Sequence, residues 1–162
     1  MTTVKRLLGG RLFWIVLALL VGALVAWEVV GLRSDQAVDD RRDAAVKTAT
    51  AQVLDLTTLD SETVEGKLAA MAKRTAGDFA DQLGGITTTF ANLVKQNQIT
   101  AKGVVDAAGV VSSSDKDAVV IVASSATVTE KGKQPTVRSY RMQITLERQK
   151  GEWKVNDMEF VQ

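Results

Sequence analysis

The 162-residue chain has no cysteine, no histidine, one proline and one tyrosine. Without cysteine no disulfide can form, so a folded part outside the cytoplasm depends on its apolar core. The lack of histidine excludes more. Imidazole is the usual general base near neutral pH and the commonest zinc ligand, so serine or cysteine triads and His-ligated metals drop out. Carboxylate, lysine or tyrosine chemistry remains. An excess of one charge sign is also missing: 20 basic and 19 acidic residues leave a formal net charge of +1. No clustered basic surface is present in the linear sequence, which argues against nucleic acid as a partner. There is no polybasic run for lipid headgroups. Walker, Gly-rich dinucleotide, EF-hand and GxSxG motifs are all missing.

The dominant feature that is present is the apolar run from Leu12 to Leu32, interrupted only by Glu28. As a helix it would extend roughly 31 Å, about one bilayer's hydrocarbon thickness, and a single transmembrane helix over 12–32 is expected. Phe13 and Trp14 near one boundary and Trp27 near the other suit the headgroup level. Lys5, Arg6 and Arg11 precede the run, so residues 1–11 are expected to be a cytoplasmic tail and the remainder to lie outside. A cleaved signal peptide fits less well, since the run exceeds a usual h-region and no small-x-small site follows it. Within the span, Ala18, Gly22 and Ala26 recur every fourth residue and place small side chains on one face for a second helix to approach. Glu28 either snorkels to water or pairs with a cation on a neighbouring span. These four are the expected partner-contact residues.

Beyond residue 32 the chain carries 17 basic and 18 acidic residues, and its length suits one domain. A juxtamembrane helix is expected over 33–56, with Val38, Ala45, Ala49, Val53 and Leu56 at helical spacings and aspartates toward its start. Asp35, Asp39, Asp40 and Asp43 with Arg41 and Arg42 spread around this helix, as a solvated face would. The domain proper is expected over 57–162, with helices in 61–95 and strands in 99–161. Asp60 or Ser61 can cap a helix whose Val64, Leu68, Met71 and Ala72 share a face. The next helix has an apolar stripe of Phe79, Leu83, Ile86, Phe90 and Leu93, while Gly84 and Gly85 admit close packing or a bend. After Asn97 the period changes to that of strands. Segments 99–113, 118–129, 136–148 and 152–161 read as four strands with turn-like connectors. In the third, Arg138, Tyr140, Met142, Ile144 and Leu146 share one face. Short links force neighbouring antiparallel pairing, giving an α+β arrangement of about three helices on a four-stranded meander.

Candidate chemistry is sparse. Asp115 and Asp117 supply too few oxygens for calcium and read as a turn. Tyr140 beside a buried acid could polarise a carbonyl; as a core tyrosine it would only place its hydroxyl at a rim. Trp153, Val155, Met158 and Phe160 read as core. No catalytic residue, cofactor or metal is expected.

The segments AKGVVDAAGVVSSSDKDAVVIVASSATVT and SYRMQITLERQKGEWKVNDMEFV, with the closing pattern met by Leu146, Arg148, Gly151, Trp153, Val155 and Asp157, resemble the Mce-associated membrane proteins of mycobacteria and related actinobacteria. The likeness covers residues 12–162. It implies an NTF2-like or VirB8-like domain outside the inner membrane, acting as a non-catalytic accessory subunit of an Mce-type fatty-acid or sterol transporter. By the same resemblance the partners are Mce ring proteins and YrbE-type permeases, besides membrane lipid. Two other classes stay open: a VirB8-like scaffold of another envelope machine, and a small apolar-ligand binder whose cavity would take a polar group such as Tyr140.

Overall fold

The structure, a computed structural model, describes residues 36–161. The expected span over 12–32 lies outside them, and among the described residues no helix is long and apolar enough to cross a membrane. The chain divides into two compact units, residues 1–40 and 41–162, of which the second is described by itself.

Among the described residues three helices precede the sheet. Helix α1 runs from residue 36, the first described, to 57; α2 is Val64–Lys73 and α3 is Gly77–Gln96. Four strands follow, β1 Thr100–Ser113, β2 Asp117–Thr129, β3 Thr136–Gln149 and β4 Glu152–Phe160, in the spatial order β1-β2-β3-β4 with every pairing antiparallel. This is the α+β meander that the alternation and short connectors predict. The β3–β4 hairpin turns on two residues, Lys150 at φ 51° and Gly151 at φ 90°, a primed turn whose twist matches its strands. Between β1 and β2, the Ser114 hydroxyl accepts from the Lys116 and Asp117 amides at 3.1 and 2.9 Å, so this segment is a side-chain-closed turn.

The helices cover one face of the sheet. Ala45, Ala49 and Val53 of α1 pack with Ala118, Val120 and Val122 of β2, with Met142, Ile144 and Leu146 of β3, and with Trp153 and Val155 of β4. The helix expected at 33–56 therefore supplies core. Arg41, read from sequence as part of a solvated face, is tied into the fold twice. It pairs with Asp115, and its carbonyl accepts a 3.0 Å hydrogen bond from the Trp153 indole. A second cluster gathers Leu59, Val64, Leu68, Met71, Leu83, Ala91, Val94 and Ala101.

Several expected core positions turn out differently. On α3, Leu83 is buried, but Ile86 and Leu93 are 60% and 51% exposed; Ala91 and Val94 take the inner positions. The stripe is rotated because an apolar band of this width can seat along either edge, and the smaller residues face the core. A Cβ at Gly84 or Gly85 would meet nothing within 4 Å, so neither serves close packing in this unit. Ala72 on α2 is exposed, and Phe160 at the end of β4 is 66% exposed. Gln52, fully buried, carries an amide nitrogen with no hydrogen-bond partner among the described residues, as does the buried Ser124 hydroxyl.

Asp55 joins the helices. Its carboxylate accepts from Lys67 Nζ at 2.7 Å and from the Arg74 guanidinium, which also reaches Gln52 Oε1 at 3.4 Å. Burial alone would raise the Asp55 pKa; the hydrogen bonds from Lys67 and Arg74, reinforced by their charges, outweigh it and hold the pKa below the ordinary 3.8. Asp55→Asn is expected to cost about 1–3 kcal/mol at pH 7, because two cations lose their acceptor. With the folded-state value depressed, that contribution is complete above about pH 5 and disappears as pH falls through 3.8 toward the folded value. Denaturant midpoints of both proteins at pH 7 and at acid pH measure it: the gap should narrow with acidification.

Candidate functional site

The two core clusters do not merge completely, and at their seam lies a cavity of about 300 Å³. Leu56, Thr57 and Leu59 form one wall, Phe90 and Val94 of α3 a second, and Ala101, Ala126, Val128 and Met142 the sheet floor. Glu130, Arg138, Tyr140 and Phe160 complete the lining.

The sequence positions these side chains in simple ways. Arg138, Tyr140 and Met142 alternate along β3, so all three project to the helix-covered face. Met142 is buried, Tyr140 half-buried and Arg138 exposed, which makes β3 a path from core to rim. Phe160 stands opposite Met142 in register, and its ring lies 6.1 Å from that of Tyr140 at 52°. The 57–59 wall is held by a two-bond bridge, Leu59 N to Ala101 O at 2.9 Å and Ala101 N to Leu59 O at 2.7 Å. Close approach there requires Gly103, where a Cβ would lie 2.2 Å from Thr57 Oγ1 and 2.9 Å from the Thr57 carbonyl carbon.

Electrostatically the cavity is simple. Glu130 is neutralised by Lys133 in an ion pair. Arg138 has no ion-pair or hydrogen-bond partner among the described residues, nor does the Tyr140 hydroxyl. The carboxyl groups with resolved shifts, Asp55, Asp60 and Glu152, are all lowered, and none lines the cavity. For Asp60 the cause is hydrogen bonds from the Thr63 hydroxyl and amide and the Glu62 amide, which close the turn before α2; for Glu152 it is Lys154. Among the described residues no group of three or more His, Cys, Asp or Glu could hold a metal.

The structure thus brings Tyr140 to a cavity that Arg138 and Glu130 also line; the sequence places Arg138 on the same strand face as Tyr140 but singles out neither charged residue for a site. Arg138 stands opposite Ala126 in the β2–β3 register and Glu130 lies in the turn beyond β2, so they share the cavity lining without pairing; the alternation of Arg138 with Tyr140 is the local signal for the first, and Glu130 carries none. Ala18, Gly22, Ala26 and Glu28 lie outside the described residues.

Residues 11–162 match the family described as "Uncharacterized protein Rv1363c/MT1408-like". The chain belongs to this family. Among its relatives, Rv1363c of Mycobacterium tuberculosis is 29% identical over 129 residues, covering 78% of this chain and 49% of its own length. The chain therefore spans about half of that relative. The outer membrane protein Rv1973 of Mycobacterium tuberculosis is 32% identical over 152 residues, 93% of each. Among solved structures, the periplasmic domain of DotI is similar at TM-score 0.61 and 12% identity, covering 74% of this chain and 94% of that one. CagV of Helicobacter pylori, a VirB8 homolog, is similar at TM-score 0.59 and 8% identity, covering 74% and 97%. The fold is therefore VirB8-like.

Proposed function

We propose that this chain is a non-catalytic, single-pass accessory subunit that assembles or stabilises a lipid-transport complex of Mce type in the cell envelope. Its N-terminus is cytoplasmic and its folded domain lies outside the inner membrane. The observation that carries the reading is the match of the folded part to nearly the whole of the periplasmic domain of DotI and of CagV, a VirB8 homolog of a type IV secretion system. Secretion and lipid transport both use envelope subunits that hold other subunits in place, and a single span cannot by itself form a pore. The electrostatics support a non-catalytic role. Acid–base catalysis calls for a group brought toward the operating pH, whereas the carboxyl groups with resolved shifts among the described residues are pushed away from it, Asp55, against its burial, by Lys67 and Arg74 and the exposed Asp60 and Glu152 by local hydrogen bonds. The Mce assignment rests on the resemblance of the segments around 101–129 and 139–161.

In this reading the span docks through Ala18, Gly22 and Ala26, with Glu28 at its outer end, and the domain contacts Mce ring proteins and YrbE-type permeases. The tagged full chain, purified in mild detergent, should bring those subunits with it. Gly22→Leu should lower their recovery several-fold while leaving thermal unfolding of the domain unchanged. Recovery of the chain alone, under conditions that keep such complexes intact, would sink the proposal. Recovery of other envelope machinery would transfer the chain to the VirB8-like scaffold class.

A further inference from the structure

The cavity suggests a ligand independently of which complex the chain joins. Ten of its fourteen lining residues are apolar. Its volume of about 300 Å³ stands at the lower end of the ~300–1,000 Å³ usual for small-molecule sites. The space suits one narrow aliphatic chain. The charges at the rim then select the head group. Of the two charged lining residues, Glu130 is compensated by Lys133, which leaves the guanidinium of Arg138, two residues along β3 from Tyr140, as the one without a counter-charge among the described residues. Arginine holds a carboxylate through two parallel hydrogen bonds, and a phenol can donate a third.

We infer that the cavity is a binding site for an aliphatic monocarboxylate, with its chain between the α3 wall and the sheet floor and its carboxylate on Arg138 and Tyr140. Phe90, Val94, Val128 and Met142 exclude water from the chain, and the exposed Phe160 ring covers the rim beside the head group. A neutral alcohol of the same length would fill the same space and leave Arg138 without an anion.

The full chain, placed in zwitterionic phosphatidylcholine nanodiscs, can be photo-crosslinked with diazirine-bearing laurate and, separately, with diazirine-bearing dodecanol. Mass spectrometry then locates the adducts. The acid should label cavity-lining peptides about tenfold more than the alcohol, and Arg138→Gln should reduce the acid's labelling about tenfold while leaving the alcohol's unchanged. Arg138 is exposed, so this variant retains the fold, which an unchanged melting curve verifies. Arg138→Lys should restore part of the labelling. Equal labelling by acid and alcohol, no response to Arg138→Gln, or adducts confined to 12–32 would each overturn the inference. A further arm carries the diazirine on the acyl chain of phosphatidylglycerol. Cavity labelling from that lipid with none from laurate would mean that the chain comes from a phospholipid, and would overturn the free-acid assignment.

Discussion

Trp153→Ala is expected to remove about 3–5 kcal/mol of stability, the range for deleting a large buried aromatic. Trp153 is nearly fully buried in the main cluster, beside Ala45 and Ala49 of α1, and its indole N–H bonds the Arg41 carbonyl. Small alanines on the facing helix cannot expand into the space, so the cavity would persist. Trp153→Phe separates the two contributions. It keeps much of the apolar contact and loses the hydrogen bond, for a smaller loss of about 1–2 kcal/mol. Denaturation of the full chain in mild detergent, followed through the β-sheet dichroism, measures both. Equal losses in the two variants would show that packing against α1 contributes little.

The second large effect is expected at Gly103. An added methyl would sit 2.2 Å from Thr57 Oγ1, 2.7 Å from Thr57 Cβ and 2.9 Å from the Thr57 carbonyl carbon. The last of these is backbone, in a segment fixed to β1 through the Leu59–Ala101 bridge and the 3.3 Å bond from Gly103 N to Thr58 Oγ1. Gly103→Ala must therefore move the 57–59 wall away from β1, at about 2–3 kcal/mol. A thermal shift of roughly 5–10 °C downward would report it. Adding Thr57→Ala should rescue little, because Cβ and the carbonyl carbon remain. Full rescue by that second change would mean that the hydroxyl alone was in the way. The 57–59 wall lines the cavity, so the displacement should also lower carboxylate labelling.

The sheet was readable from sequence because its signals are local. Period-2 alternation marks strand faces, and links as short as Lys150-Gly151 leave only a hairpin. The register that follows placed Tyr140, Met142, Ile144 and Leu146 on the covered face. The helices were legible as helices, but not in their rotation. Phe79, Leu83, Ile86, Phe90 and Leu93 form a regular stripe, yet which edge of it turns inward is decided by the neighbouring elements; Ala91 and Val94 won at the expense of Ile86 and Leu93. Phe160 departs from its expected core position for a related reason. It projects to the core side, but at the strand's end none of the described helices covers it. Contacts made over long separations left no local trace: Asp55 with Lys67 and Arg74, and Thr57 against Gly103. The cavity belongs to this last group, since it is defined by where two clusters fail to meet.

The seam between beginning and end also constrains how the molecule forms. The Trp153 to Arg41 bond closes a separation of 112 residues, and residues 74–76 are fastened to the last strand by Val155 N to Arg74 O at 2.6 Å and Ala76 N to Val155 O at 2.9 Å. Within the described domain the helices are synthesised before the sheet, with their apolar faces uncovered, and β4, which secures them, follows the other three strands. The loop-closure entropy of these pairings is met before their contacts form, so the local hairpins of the sheet are expected to form ahead of the seam that joins α1 and residues 74–76 to β4. Until residues 152–160 have been made, the apolar faces of α1 and of residues 74–76 lack the strand that fastens them.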